Sequence, residues 1–130
     1  MNRLFPDPLQ FTLDGWSGDS AIYRLDHYYR VCTSQGWITV PTGFRSDGLS
    51  VPAFAHPIVG PANGPAFGAG LLHDYLYSRE STLFHNHPRD VCDLLFKEAM
   101  WNLGVGWFRR GAIYRSVRMF GGKFFKAKRP

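Results

Sequence analysis

A histidine beside an aspartate, with a tyrosine four positions further on, forms a set of groups that can take, hold and pass a proton. This chain carries one in the run His73-Asp74-Tyr75-Leu76-Tyr77, and a second carboxylate, Asp93, follows among apolar residues. An imidazole held by a carboxylate makes a general base near neutral pH, because the hydrogen bond fixes its tautomer and raises its basicity. A carboxylate buried without a partner is costly, so Asp93 is expected to accept a hydrogen bond from His73 or from a tyrosine hydroxyl. The same pairing also serves as a satisfied polar network in a core, and the residue pattern leaves both uses open.

Two helices must position these groups. Ala66 to Ser78 is small and apolar throughout, which suits a buried helix better than a strand. Pro88 reads as the first position of a second helix, in which Cys92, Asp93, Phe96, Ala99, Met100 and Leu103 recur at three- and four-residue spacing, so Asp93 faces inward. The loop between them, Arg79 to His87, is short enough for an antiparallel pair. His73 lies about six residues before the loop and Asp93 about six after it, so at a rise of about 1.5 Å per residue they stand level. Asp74 is turned by about 100° from His73 and is expected to face the mouth of the pair.

The rest of the chain reads as support. At 130 residues with 45% hydrophobic and 16% aromatic residues it is expected to be one folded domain, 1–130. Residues 1–44 are β-rich: Phe11-Thr12-Leu13 before Asp14-Gly15 suggests a short edge strand, and Ala21 to Val31 alternates, with Tyr23, Leu25, His27 and Tyr29 on one face. His27 reads as a half-buried strand residue. Thr33-Ser34-Gln35-Gly36 turns the chain, and Trp37 to Val40 returns it as a hairpin partner. Residues 45–65 hold too many prolines and glycines for a regular element, and Asp47 within them is either a site residue or a turn former. Residues 66–121 are helical: Leu103-Gly104-Val105-Gly106 ends the second helix, and Trp107 to Phe120 forms a third with Ala112, Ile113, Ser116, Val117 and Phe120 on one side, stopped by Gly121-Gly122. Residues 122–130 are a basic tail. The fold class is therefore α+β, a small antiparallel β hairpin or sheet followed by three helices.

The formal charge is +5, and it is concentrated: Arg109, Arg110, Arg115 and Arg118 stud the third helix, and Lys123, Lys126, Lys128 and Arg129 follow it. Such a face attracts phosphates or is simply solvated. Two cysteines, Cys32 and Cys92, support neither a disulfide framework nor a zinc knuckle, and a reducing cytoplasm suits them. His85 and His87 in the central loop either ligate a metal with Asp74 or are ordinary loop side chains, and Asn86 or His87 is expected to cap the second helix. No secretory signal, membrane-spanning run, Gly-rich phosphate loop, Gly-x-Ser-x-Gly elbow or specific nucleic-acid motif is visible, so nucleotide hydrolysis and serine-hydrolase chemistry have no support.

Two resemblances rest on these motifs. Ser46-Asp47-Gly48-x-Ser50-x-Pro52, His73-Asp74-x-Leu76-Tyr77, Asp93-x-x-Phe96-x-x-Ala99-Met100 and Tyr114-Arg115-x-Val117-Arg118-x-Phe120-Gly121 occur in an order that resembles a family of small proteins of unassigned function from tailed bacteriophages and prophages. The His-Asp-x-x-Tyr helix facing an Asp on an antiparallel helix is similar to the secretory phospholipases that cleave the sn-2 ester with calcium. That resemblance implies His73 as the base that activates water, Asp93 as its orienting partner, Tyr77 as a hydrogen-bond donor to Asp93, and Asp74 as a calcium ligand. Leu76 and Cys92 stand where animal members have a disulfide, and a Gly-rich calcium loop is absent before the His-Asp helix, so either Ser46 to Ser50, with Asp47, takes over as the ligand loop or calcium does not bind.

The expected function is a phospholipase-like ester hydrolase, with an anionic membrane surface as partner of the basic segment. The alternatives are a phage virion or accessory protein with a structural His-Asp network, docked on other virion proteins, and a metal-dependent peptidoglycan hydrolase using Asp47, His73 and Asp74. In each case the protein is made in the host cytoplasm.

Overall fold

Alternating side chains in the first third of the chain pair into two antiparallel sheets. The computed structural model describes residues 9–18, 20–46, 65–83 and 85–125. In the first sheet β1 (Phe11–Ser17) lies at one edge, β2 (Ser20–Leu25) in the centre and β5 (Arg45–Ser46) at the other edge. The second sheet is the hairpin of β3 (Tyr29–Thr33) and β4 (Gly36–Val40), closed by Ser34-Gln35 with Gly36 at a positive φ of 94°. Three helices follow, α1 (Pro65–Tyr77), α2 (Arg89–Asn102) and α3 (Trp107–Phe120), giving the expected α+β order. Among the described residues no helix is long and apolar enough to cross a membrane.

Several local expectations need correction. Asp14-Gly15 does not turn the chain. Gly15 takes a φ of 108° in a bulge, where the β1–β2 register shifts between Leu13 and Trp16, and the reversal comes at Gly18 instead. Ala21 to Val31 is not one strand. Leu25 is bonded to Gly43 and Phe44, and Asp26 to Gln10, so the chain bends over Asp26–Tyr28 and changes sheet there. Leu25 and Tyr29 are buried as the alternation implies, whereas His27, expected to be half-buried, sits exposed in that bend. Proline-rich residues 45–65 begin with an element after all, because Arg45 and Ser46 pair with Arg24 and Tyr23.

The helices end where local chemistry dictates. Pro88 is the N-cap of α2 rather than its first residue, and neither Asn86 nor His87 caps it. At the other end Gly104, at a φ of 90°, donates to Trp101 O, and Val105 donates to Met100 O. This 6→1 and 5→2 pair satisfies the last carbonyls and folds the buried Val105 back onto the helix. Along α1 and α2 the neighbours run in opposite order, Gly68 near Leu103, His73 on Asp93 and Leu76 beside Cys92, so the pair is antiparallel.

One core joins the layers. Tyr29, Val31, Ile38 and Val40 from the hairpin pack in one cluster with Leu72 and Leu76 of α1, Phe96 and Met100 of α2, and Ile113 and Val117 of α3. Phe120, on the same side of α3 as Ile113 and Val117, is 38% exposed. Glu98 of α2 accepts from the backbone N–H and hydroxyl of Ser34, tying the hairpin turn to the helix at 2.7 and 2.9 Å.

Two glycines in helices test how tightly this core is filled. A Cβ on Gly68 would stand 2.6 Å from the hydroxyl of buried Tyr29, whereas one on Gly111 would meet nothing within 4 Å. Gly68→Ala is therefore expected to destabilise the protein by about 1–3 kcal/mol. Gly111→Ala is expected to stabilise it by roughly 0.5–1 kcal/mol, and urea unfolding of both variants measures the contrast.

Candidate active site

His73 lies one turn before the end of α1, and Tyr77 follows four residues later on the same face. Both reach Asp93 in α2. His73 Nε2 is 2.7 Å from Asp93 Oδ1, and the Tyr77 hydroxyl donates to the same oxygen at 2.5 Å. The second oxygen, Oδ2, accepts from Arg118 Nη1 at 2.5 Å, with Arg89 Nε at 3.8 Å. Asp93 is 0% exposed and His73 1% exposed, so the carboxylate is fully enclosed and depends on these donors.

Arg89 extends the network. Its Nε donates to the Tyr77 hydroxyl at 3.0 Å, and its Nη2 donates to the carbonyls of Val117 and Arg118 at 2.7 and 3.0 Å. Those carbonyls lie at the C-terminal end of α3, where a cation is favoured, and Val117 O also accepts from the Gly121 N–H. Gly121 packs beside them: a Cβ there would stand 3.3 Å from Val117 Cγ1 and in ordinary contact, at 3.4 Å, with Arg89 Nη2 and the Tyr77 hydroxyl. All three helices thus meet at one carboxylate. The His73 ring is further held between Tyr77 and Phe96, with centroids at 4.0 and 4.5 Å.

Burial sets the electrostatics. It raises the proton affinity of Asp93, but the hydrogen bonds from His73, Tyr77 and Arg118 outweigh it and hold the carboxyl below its ordinary value. For His73 burial wins: the imidazole stays below its ordinary 6.5, with the Asp93 hydrogen bond and charge offsetting only part of the loss and the Arg89 charge adding to it. Tyr77 is pushed up by burial and by its bond to Asp93, so it remains a protonated donor. At neutral pH the site therefore holds a neutral imidazole against an ionised carboxylate. Because Nε2–H points at Asp93, Nδ1 is the ring nitrogen left with a lone pair.

Of the residues singled out for chemistry, His73, Tyr77 and Asp93 come together. Asp74 is half-buried one position along, and Asp47 lies outside the described residues, as does the Asp47 to Pro52 part of its motif. His85 and His87 stack at 6.2 Å between centroids, and burial, then the His87 charge, lowers the proton affinity of His85. Among the described residues no three His, Cys, Asp or Glu side chains converge as a metal set, so of the two alternatives for the loop histidines a grouping with Asp74 does not form. Neither cysteine is in a disulfide, and Cys92 Sγ lies 3.8 Å from the Leu76 carbonyl.

Arg89 and Arg118 were missed as site residues. Arg89 had a local signal, being four residues before Asp93 on one helix face. Arg118, counted with a basic face that either attracts phosphate or is simply solvated, instead turns inward onto Asp93. Its place in the run Tyr114-Arg115-x-Val117-Arg118 was the available hint.

Two outcomes test the network. Asp93→Ala leaves a buried imidazole, a phenol and guanidinium groups without their acceptor, and a loss of about 3–5 kcal/mol in urea unfolding is expected. Acid should also weaken the fold through both members of the pair. Below pH 6.5 the unfolded chain protonates His73 while the folded chain resists, and at lower pH Asp93 must give up its bonds. Stability is thus expected to fall on acidification from neutral pH, and His73→Gln, measured by unfolding across that range, should flatten the first part of the decline.

Comparison with known proteins gives a family and no activity. The chain is 35% identical over 83 residues to the uncharacterized protein y4jT of Sinorhizobium fredii (strain NBRC 101917 / NGR234), a match covering 63% of this chain and 23% of that protein. The chain thus spans under a quarter of the length of this curated relative. No solved structure matches. A family model described as "Protein of unknown function (DUF1353)" matches residues 23–117, and this range contains β3, β4, His73, Tyr77, Arg89 and Asp93, with Arg118 one residue beyond it. The protein belongs to the DUF1353 family.

Proposed function

We propose that this protein is an ester hydrolase in which His73 is the general base and Asp93 its orienting partner. The observation that carries the reading is the 2.7 Å contact of Nε2 with Asp93, which fixes the tautomer and leaves Nδ1 to act as base. Nδ1 would take a proton from water, and the resulting hydroxide would attack the ester carbonyl carbon. As the tetrahedral intermediate collapses, the imidazolium returns that proton to the leaving alkoxide, giving an acid and an alcohol. Asp93 offsets the charge of the imidazolium during the step, while Tyr77 and the two arginines hold the carboxylate in place.

A lipid ester is the proposed substrate. In support, His73 and Tyr77 on one helix face Asp93 on an antiparallel one, the relation seen in secretory phospholipases. Cys92 and Leu76, at the positions where animal members have their disulfide, are also in contact here. The motif order resembles that of phage and prophage proteins, and such an origin would place the activity at a host membrane. Among the described residues Asp74 is the sole proposed calcium ligand, which falls short of a calcium site, so no step above passes through the ion.

One observation favours a second reading. The ring of His73 is 1% exposed and Asp93 is saturated by donors, which is also what a structural network in a virion or accessory protein requires. Turnover would need an opening at His73; a structural role would not.

Calorimetric titration of calcium into the wild type and Asp74→Asn, with a lipid-release assay on the same samples, separates these readings. The hydrolase is expected to release fatty acid, and His73→Gln to lower the rate by at least about 10²-fold while keeping the wild-type fold. No release by the wild type, with or without calcium, sinks the hydrolase in favour of the structural network. Calcium binding that is lost in Asp74→Asn would add the ion to the site.

A further inference from the structure

From Ala99 onward the sequence holds eight lysines and arginines and no aspartate or glutamate. One of the eight, Arg118, is taken by Asp93, and another, Arg110, leans on the Val105 carbonyl. Arg115 remains exposed on α3. It lies on a helical stripe with Phe108 and Met119, at spacings of seven and four residues, opposite the buried Ile113 and Val117. Phe108 is 71% exposed and Met119 73%, and Trp107, next to Phe108 at the helix start, is 77% exposed. A helix showing large apolar side chains and cations along its outer side, with no acid among them, matches an anionic lipid surface. Aromatic rings and a methionine enter the headgroup boundary, while the arginine meets phosphate.

We propose that α3 binds the surface of an anionic bilayer, lying along it with Trp107, Phe108 and Met119 inserted and Arg115 at the headgroups. The charge of the segment selects the partner, and the apolar stripe separates a bilayer from nucleic acid. A phosphate backbone alone gives Phe108 and Met119 nothing to bury against. On α2, Leu94, Lys97, Glu98 and Trp101 line with Arg110 a separate shallow open groove of about 300 Å³, whose one acid, Glu98, is held by Ser34. The inference is independent of the hydrolase reading, because none of these side chains touches His73 or Asp93.

Co-sedimentation with vesicles tests it, using equal parts phosphatidylglycerol and phosphatidylcholine against phosphatidylcholine alone. The wild type is expected to bind the anionic vesicles at least tenfold more tightly, and added salt should weaken that binding. Phe108→Ala and Met119→Ala are expected to weaken it by roughly tenfold each, and Arg115→Glu by at least as much. Thermal melting checks that these surface variants stay folded. His73→Gln should bind as the wild type does, so loss of the hydrolase and loss of the surface are told apart. Absence of vesicle binding, equal binding to both compositions, or stripe variants that bind like the wild type would each overturn the proposal. So would binding to duplex DNA, but not vesicles, that Arg115→Glu abolishes.

Discussion

An ionised carboxylate at zero exposure is the constraint to which the helical half of this protein answers. Asp93, on α2, keeps its charge because three side chains from the other two helices donate to it: His73 and Tyr77 from α1 to Oδ1, and Arg118 from α3 to Oδ2. The desolvation of a charge is repaid only when such donors are all in place, which makes the arrangement close to all-or-none. Arg89 reinforces it from α2 itself by bonding Tyr77 and closing the C-terminal carbonyls of α3. The position of α3 on the helix pair is thus coupled to the geometry around His73.

That coupling shapes the chemistry available. A carboxylate facing only an imidazole would raise its basicity strongly, but here two guanidiniums share the negative charge, and burial keeps the ring neutral. The result is a base that is unprotonated at rest and rigidly aimed, held between Tyr77 and Phe96. Rigid aim favours catalysis by lowering the cost of orientation. The same rigidity would serve a structural role, and the two differ in whether Nδ1 meets a substrate.

The arginines of α3 divide into two kinds. Arg118 points inward and completes the Asp93 cage, whereas Arg115 stays outside beside Phe108 and Met119. One helix thereby joins the buried network on one side to an apolar, cationic surface on the other. If that surface sits on a bilayer, the helix carrying it is also the one clamped to the candidate base.

Much of this was legible in the residues. Apolar spacing placed the helices within a residue or two, and their separation by a short loop was enough to set His73 and Asp93 level, because the rise per residue of a helix does not depend on its partners. Burial of Asp93 likewise followed from its place among Cys92, Phe96, Ala99 and Met100. The strands were harder: alternation ran unbroken from Ala21 to Val31, yet the pairing of Leu25 with the Gly43–Phe44 corner splits it between two sheets. Such a break depends on contacts distant in sequence, and period-two patterning does not encode them. Arg118 shows the same limit most plainly. On α3 it is one arginine among four, 25 residues from Asp93, and only the packing of α3 against the helix pair decides that it, and not Arg115, answers the buried charge.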